Sequence, residues 1–318
     1  MIGILLAAVL WGTTGTAATL LPDAVSPLAT GAATMTIGGL LLALTAPRGA
    51  LLALRTPGAL RWLLPGALAV AVYPLAFYSG MSLAGVAVGN VVALGTAPVF
   101  AAILEQLLDP ADRRQPLGGR WLLSAVAATA GVALLAVFGH HGEGSASAGG
   151  TLPGVALGLI AGLAYAGYTY TAGRVIGLGV PSRGAMAAQF GLGAVLLLPV
   201  LLATGGPLLR LAAGGAESPL AQLLGSPHPL AVVGYLALGP MFLAYVLFGR
   251  GLRTVSSSRA TTVTLIEPFV ATLLAVVAVG ERLAPLGWVG LALVLVGVVS
   301  VATERSAAPG GTAAAPAR

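Results

Sequence analysis

The feature that most constrains this chain is how its apolar residues are grouped. Ten blocks of roughly twenty residues are separated by short stretches that hold nearly all the charge. One such block could be a buried core helix, but ten are more than a single soluble core can enclose. At 1.5 Å per residue, each block crosses the ~30 Å of hydrocarbon in a bilayer, with allowance for tilt. Lipid offers no hydrogen bonds to backbone amides, so spans of this length must be helices. The spacing predicts spans at 2–21, 27–46, 62–80, 84–104, 121–138, 152–173, 184–204, 229–249, 259–279 and 286–303. The first block begins at Ile2 with no basic residue before it and is followed by further spans, so it is expected to be a membrane helix rather than a cleaved leader. The expected fold class is an all-α integral membrane protein of ten transmembrane helices.

Composition agrees and closes off several functions. Only 8% of the 318 residues are charged and 58% are hydrophobic, whereas a soluble surface needs about a quarter charged. The net charge of +6 raises the question of nucleic acid. The arginines, however, are scattered singly between apolar blocks, with no clustered basic surface, so no nucleic-acid partner is expected. Lysine is absent and no Gly-x-x-x-x-Gly-Lys loop exists, which excludes an ATP-driven pump in this chain alone. There is no cysteine to form a disulfide or a thiolate metal site. His140, His141 and His228 sit in loops without carboxylate partners at ligand spacing, so neither metal nor cofactor is expected. An intramembrane enzyme would need convergent catalytic groups at one depth, and the predicted spans offer a single acidic residue and no histidine.

Arginine sets the orientation. With the N-terminus cytoplasmic, Arg48, Arg55, Arg61, Arg113, Arg114, Arg120, Arg174, Arg183, Arg250, Arg253, Arg259, Arg305 and Arg318 fall inside, and only Arg210 and Arg282 outside. Reversing the topology inverts that ratio, so the positive-inside rule places both termini in the cytoplasm of a multi-pass inner-membrane protein. The same alternation checks the span count, because a missed helix would swap the side of every later loop. Residues 139–151 are expected to be a flexible outside linker, 205–228 a longer Gly- and Pro-rich outside loop, and 304–318 a disordered cytoplasmic tail.

The two halves can be overlaid. Asn90-Val-Val-Ala-Leu-Gly-Thr-Ala-Pro98 in the fourth span matches Ala260-Thr-Thr-Val-Thr-Leu-Ile-Glu-Pro268 in the ninth, at an offset of 170, and Ala130-Gly131-Val132 matches Val296-Gly297-Val298. Five spans is an odd number, so the second repeat (152–303) must enter the membrane from the side opposite to the first (1–138). Inverted repeats of this kind are a common basis for alternating access around a central site.

Glu267 is the foremost functional candidate. It is the only acidic residue well inside a predicted span, ~12 Å deep by helical rise. An ionised carboxylate there costs at least ~3 kcal/mol, so it should face the bundle interior, be protonated or be paired. That position suits a proton-coupling group or an anchor for an ammonium-bearing solute; the alternative is a structural role beside Pro268. Thr264 lies three residues earlier on the same face. Pro98 and Pro268 are hinge candidates, since each lacks an amide and clashes with the preceding turn. Asn90 is a candidate cavity-lining amide, and Gln189 could either bind substrate or tie helices together. Trp11, Tyr73, Phe77, Tyr165, Tyr168 and Tyr245 could supply aromatic walls and cation–π contacts to an amine. Thr13 and Thr16 make a modest polar face. Gly158, Gly162 and Ala166, and likewise Gly85 and Gly89, read as close helix packing. Glu281 and Arg282 lie at the outside surface, as a gate pair or a solvated one.

The layout resembles the EamA family of the drug/metabolite transporter superfamily. The resemblance is carried by Leu10-Trp11-Gly12, by the two proline-centred segments at 94–104 and 264–274, and by Gly280-Glu281-Arg282-Leu283 followed by Gly287, Gly290 and Gly297. It spans roughly 1–303 and implies a secondary transporter with a central cavity between the repeats. Members often export amino acids or other small metabolites. The first repeat departs from the pattern. Asp109-Pro110-Ala111-Asp112-Arg113-Arg114 replaces the usual Gly-Glu, and Ala97 stands where the second repeat has Glu267. The lone carboxylate and the aromatics lead to the expectation of a small amino-acid-like or cationic solute as partner, with membrane lipid, and the resemblance implies protons as the coupling partner. A non-transporting scaffold or receptor, or a facilitator for organic cations or nucleobase-like solutes, is the alternative.

Overall fold

The computed structural model describes residues 1–18, 20–22, 24–84, 86–110, 118–138, 151–212, 228–274 and 284–303. Among them every regular element is helical. The first half contains α1 (Ile2–Gly12), α2 (Thr14–Ala18), α3 (Pro27–Thr45), α4 (Pro47–Arg55), α5 (Leu60–Ala84), α6 (Val86–Leu108) and α7 (Gly119–Phe138). The second contains α8 (Thr151–Gly177), α9 (Ser182–Thr204), α10 (Gly206–Ala212) and α11 (Pro229–Leu236). A π-helical segment (Ala237–Leu243) runs on from α11 into α12 (Ala244–Gly251), and α13 (Ser257–Val263), α14 (Ile266–Leu274) and α15 (Pro285–Thr303) follow.

Local sequence explains the boundaries. Ser26 accepts the amide of Ala29 at 3.1 Å, with Pro27 in the first helical position, and this starts α3. The His228 ring accepts from Leu230 N at 3.2 Å and starts α11, so this loop histidine serves as a cap. The turns after α4 and α8 are closed by Gly58 (φ 74°) and Gly179 (φ 89°), a region side chains seldom enter.

Among the described residues, five helices are long and apolar enough to cross a membrane: α3, α5, Leu152–Gly177, α9 and the continuous Pro229–Gly251 rod. Shorter apolar helices cover Ile2–Gly12, Val92–Leu108, Gly119–Leu134 and Pro285–Gly297. The expected ninth span is split into α13 and α14. The expected loop at 205–228 is helical over Gly206–Ala212. Residues 139–150, 213–227 and 304–318, with Gly85, Glu281 and Arg282, lie outside the described residues.

The outer surface is apolar. Leu123, Leu202 and Val296 are 70%, 72% and 62% exposed, which is an untenable face for water and the expected one for lipid. The interior holds alanines, aromatics and a set of buried threonines. Thr34, Thr261 and Thr262 return their hydroxyls to carbonyls one turn earlier, and so need no outside partner. Gln189, fully buried, donates to Tyr168 O at 2.8 Å and accepts from Thr171 Oγ1 at 3.1 Å; it ties α9 to α8.

The packing is reciprocal between halves. α5 packs on α8, and the π-segment and α12 pack on α1; α6 packs on α8, and α14 on α1; α3 meets α9, and α7 meets α15. Small residues permit the closest crossings. Gly131 faces Gly290 O and Val294, while Gly297 faces Ser124 O. Gly158 and Gly162 sit against Val92, Ala93 and Thr96 of α6, where a β-carbon would collide.

Candidate functional site

Four elements converge on the interior: α1 with Trp11, α5 with Tyr73 and Phe77, α8 with Tyr165 and Tyr168, and α12 with Tyr245 and Phe248. Trp11 is anchored by its indole N–H, which donates to Pro240 O at 2.8 Å. Pro240 lies in the π-helical segment, where widened backbone frees carbonyls from the usual ladder. From there the rings form one connected group. Trp11 lies 5.0 Å from Tyr245, 5.3 Å from Phe248 and 6.3 Å edge-on to Tyr165. Tyr73 stacks on Phe77 at 5.3 Å and meets both Tyr165 and Tyr168 at 5.7 Å. Phe190 of α9 completes it, 4.2 Å from Tyr245. Such edge-to-face and tilted pairs stabilise beyond their buried area by ~0.5–1.5 kcal/mol each.

Two hydroxyl pairs are buried in this apolar wall. Tyr168 and Tyr245 share a hydrogen bond of 3.0 Å, and Tyr165 donates to Thr264 Oγ1 at 2.7 Å. Thr264 marks the interruption between α13 and α14, and Glu267 follows on the first turn of α14. The Glu267 carboxylate lies within electrostatic reach of the Tyr73, Tyr78, Tyr165 and Tyr245 hydroxyls. On its other flank, Gly12 of α1 packs against Val270 and the Glu267 carbonyl, too close for any side chain. An ionisable carboxyl group, a broken helix and an aromatic wall therefore lie on neighbouring elements.

Most of the candidates from sequence are thus brought together: Trp11, Tyr73, Phe77, Tyr165, Tyr168, Tyr245, Thr264 and Glu267. Asn90 lies on α6, one turn from Ala93, which packs near Tyr73 and Phe77; its Oδ1 is buried without a hydrogen bond. Pro98 lies farther along α6, in an unbroken helix. Thr13 pairs with Tyr235 across α1 and α11 at 2.5 Å.

Sequence reasoning passed over a second polar centre at the arginine-bearing end. Glu105, 7% exposed, accepts Ser258 N at 3.0 Å and so caps the start of α13 from another helix. One turn on, Asp109 accepts from Tyr170 Oη at 2.7 Å and from Arg174 at 2.9 Å. The Arg174 guanidinium also lies 5.2 Å over the Trp62 ring, which meets Tyr170 edge-on. These contacts fasten the ends of α6, α8, α5 and α13 together beside a cavity of about 360 Å³. Glu267 is consequently not the only acidic residue within a helix of the bundle. The predicted fourth span stops at 104, whereas α6 continues helical to Leu108 and buries Glu105 on the way. Phe248 and Tyr78 were also missed; the Tyr245–Phe248 spacing of three was the available signal.

The EamA-like transporter family model matches residues 1–137 and again 152–303. The "Uncharacterized transporter YwfM" of Bacillus subtilis (strain 168) is 33% identical over 310 residues, covering 96% of this chain and 93% of that protein. A solved crystal structure superimposes with a TM-score of 0.69 at 22% identity, over 94% of this chain and 95% of its own, a likeness of fold alone. With the apolar belt, the spanning helices and a double match that covers nearly the whole length, the chain belongs to the EamA-like transporter family and is a multi-pass membrane transporter rather than an enzyme.

Proposed function

We propose that this chain is a secondary transporter of ten membrane-crossing segments, arranged as inverted repeats (1–138 and 152–303) joined by an outside linker at 139–151. Both termini, including the tail at 304–318, lie in the cytoplasm at the inner membrane. It exports a small amino-acid-like or cationic metabolite by alternating access, in exchange for protons. The observation that carries this reading is Glu267 on the first turn after the α13–α14 interruption, three residues from Thr264, which Tyr165 of the aromatic cluster hydrogen-bonds. Discontinuous helices near the middle of a bundle are the usual place for substrate and coupling ion. The reciprocal packing of the halves and the twofold family match favour the repeat.

The residues suggest a cycle. Substrate and proton compete for the Glu267 carboxylate, so loading one releases the other. The aromatic wall orients the apolar part of the solute, and the Tyr165–Thr264 hydrogen bond holds the interruption in place. Asp109–Arg174, Tyr170 and Glu105–Ser258 close the cytoplasmic end, and they must part when the site opens that way.

The test is flux in proteoliposomes against amino acids, organic cations and nucleobases, with and without an imposed pH gradient, for wild type and Glu267→Gln. Gradient-driven flux should fall at least about tenfold in the variant, equivalent to ~1.4 kcal/mol. Flux indifferent to both gradient and variant would mean a facilitator with a structural glutamate. No flux of any solute would favour a scaffold or receptor.

A further inference from the structure

A separate cavity of about 540 Å³ opens at the arginine-bearing end, between the α8–α9 turn and the end of α12. Its wall includes Arg183, Arg250 and Arg253, with Val180, Pro181 and Ser182. None of the described residues lining it is acidic. Arg183 follows directly on Ser182 at the start of α9, while Arg250 closes α12 and Arg253 lies in the turn beyond. All three arginines are exposed. Arg253 also borders the neighbouring cavity that contains Glu105 and Asp109, so it separates a cation-lined space from the two carboxylates.

Three guanidiniums around one concavity repel each other unless an anion joins them, and their planar forks match phosphate oxygens. The cavity lies where the spans end, at headgroup depth for a protein of this class, and Val180 and Pro181 give it an apolar shoulder. Basic pockets between transmembrane helices at the cytoplasmic surface hold anionic headgroups. We propose that the Arg183–Arg250–Arg253 cavity binds a phosphate group, presented by an anionic phospholipid of the surrounding bilayer. The site is distinct from the Glu267 centre, and the proposal stands whether or not the chain carries a solute.

The test uses the purified full chain in detergent, titrated with phosphatidylglycerol, with phosphatidylcholine of the same acyl chains, and with inorganic phosphate. Thermal unfolding and retained lipid in native mass spectrometry are the readouts. Phosphatidylglycerol should raise the unfolding temperature and remain bound, and phosphatidylcholine should do neither. The R183Q/R250Q/R253Q variant should need on the order of a hundredfold more phosphatidylglycerol for the same rise, each of the three guanidiniums that share the cavity contributing roughly fivefold. The R48Q/R55Q variant, altered on α4 at the same end, should match wild type. If the triple variant folds poorly, R250Q alone should still show a weaker response. An equal lipid response in the triple variant and wild type would overturn the site. A wild-type rise with inorganic phosphate alone would overturn the lipid as its source and leave a soluble phosphate species as the occupant.

Discussion

The fourth and ninth apolar segments carry proline at matching positions, yet fold differently. α6 runs without a break from Val86 to Leu108 across Pro98, whereas the matching stretch is cut into α13 and α14 at Thr264–Leu265, just before Pro268. Both prolines withhold an amide from the carbonyl four residues back. Around Pro98 the neighbours are apolar, and one residue beyond the freed Leu94 carbonyl a hydroxyl from another helix braces the backbone: Thr129 of α7 donates to Gly95 O at 3.2 Å. In the second half, Leu295 occupies the register of Thr129. There the backbone tightens instead, with Leu265 N bonding Thr262 O at 3.2 Å and Glu267 N bonding Thr264 O at 2.9 Å, both three residues back. Tyr165 fixes the turn through the Thr264 hydroxyl. A shared proline therefore does not by itself make a break. The surrounding donors decide, and irregular backbone survives in a membrane where protein encloses it. The half with the interruption is also the half with the carboxylate.

The strongest way to break this comparison is to give the first half its own carboxylate. Ala97 is fully buried among Leu94, Ala102, Trp121 and Ala125. Ala97→Glu should lower stability by ~3 kcal/mol or more, because an acid there meets an unbroken helix and apolar surroundings. Thermal unfolding in detergent checks this. A variant as stable as wild type would mean the two segments are more alike in environment than their packing indicates.

That contrast also marks what sequence could supply. Block length and apolarity locate the helices, since lipid leaves the backbone no other choice, and arginine placement gives them a common end. Glu267 stands out because a lone charge in an apolar block has few explanations. The aromatic residues are visible too, although which of them meet depends on how α1, α5, α8 and α12 cross. Glu105 escaped because hydropathy ends the fourth span at 104, while its partner, Ser258 N, lies 153 residues away. The Asp109–Arg174 pair, 65 residues apart, was equally out of reach. The interruption was signalled by Pro268, but its placement at Thr264–Leu265 depends on Tyr165 from another helix. Local chemistry writes the elements; the polar closures are written by long-range contacts.

A second test separates the prolines by rate. Pro268→Ala restores an amide and lets α13 and α14 merge, which should slow transport several-fold, on the order of 1 kcal/mol in the barrier. Pro98→Ala, in a helix already continuous, should leave the rate within about twofold. Initial rates in proteoliposomes, normalised to reconstituted protein, distinguish them. Equal effects would show that both segments bend during transport.

The finest test concerns the hydroxyl that supports the unbroken helix. Thr129→Val keeps the shape of the side chain while removing the bond to Gly95 O. Interhelical hydrogen bonds of this kind average ~0.6 kcal/mol in membranes, so a small drop in thermal stability is expected. The distinguishing readout is local. Amide hydrogen exchange should rise around Gly95–Val99 of α6 and stay unchanged around Thr264–Glu267, because the bond removed lies in the first half. Conversely, Leu295→Thr places a hydroxyl on α15 at the register that Thr129 holds on α7. If exchange around Thr264–Glu267 then falls while transport slows, the absence of this one hydroxyl is part of what keeps the second segment open. If neither changes, the interruption is held by Tyr165 and the tight turns alone.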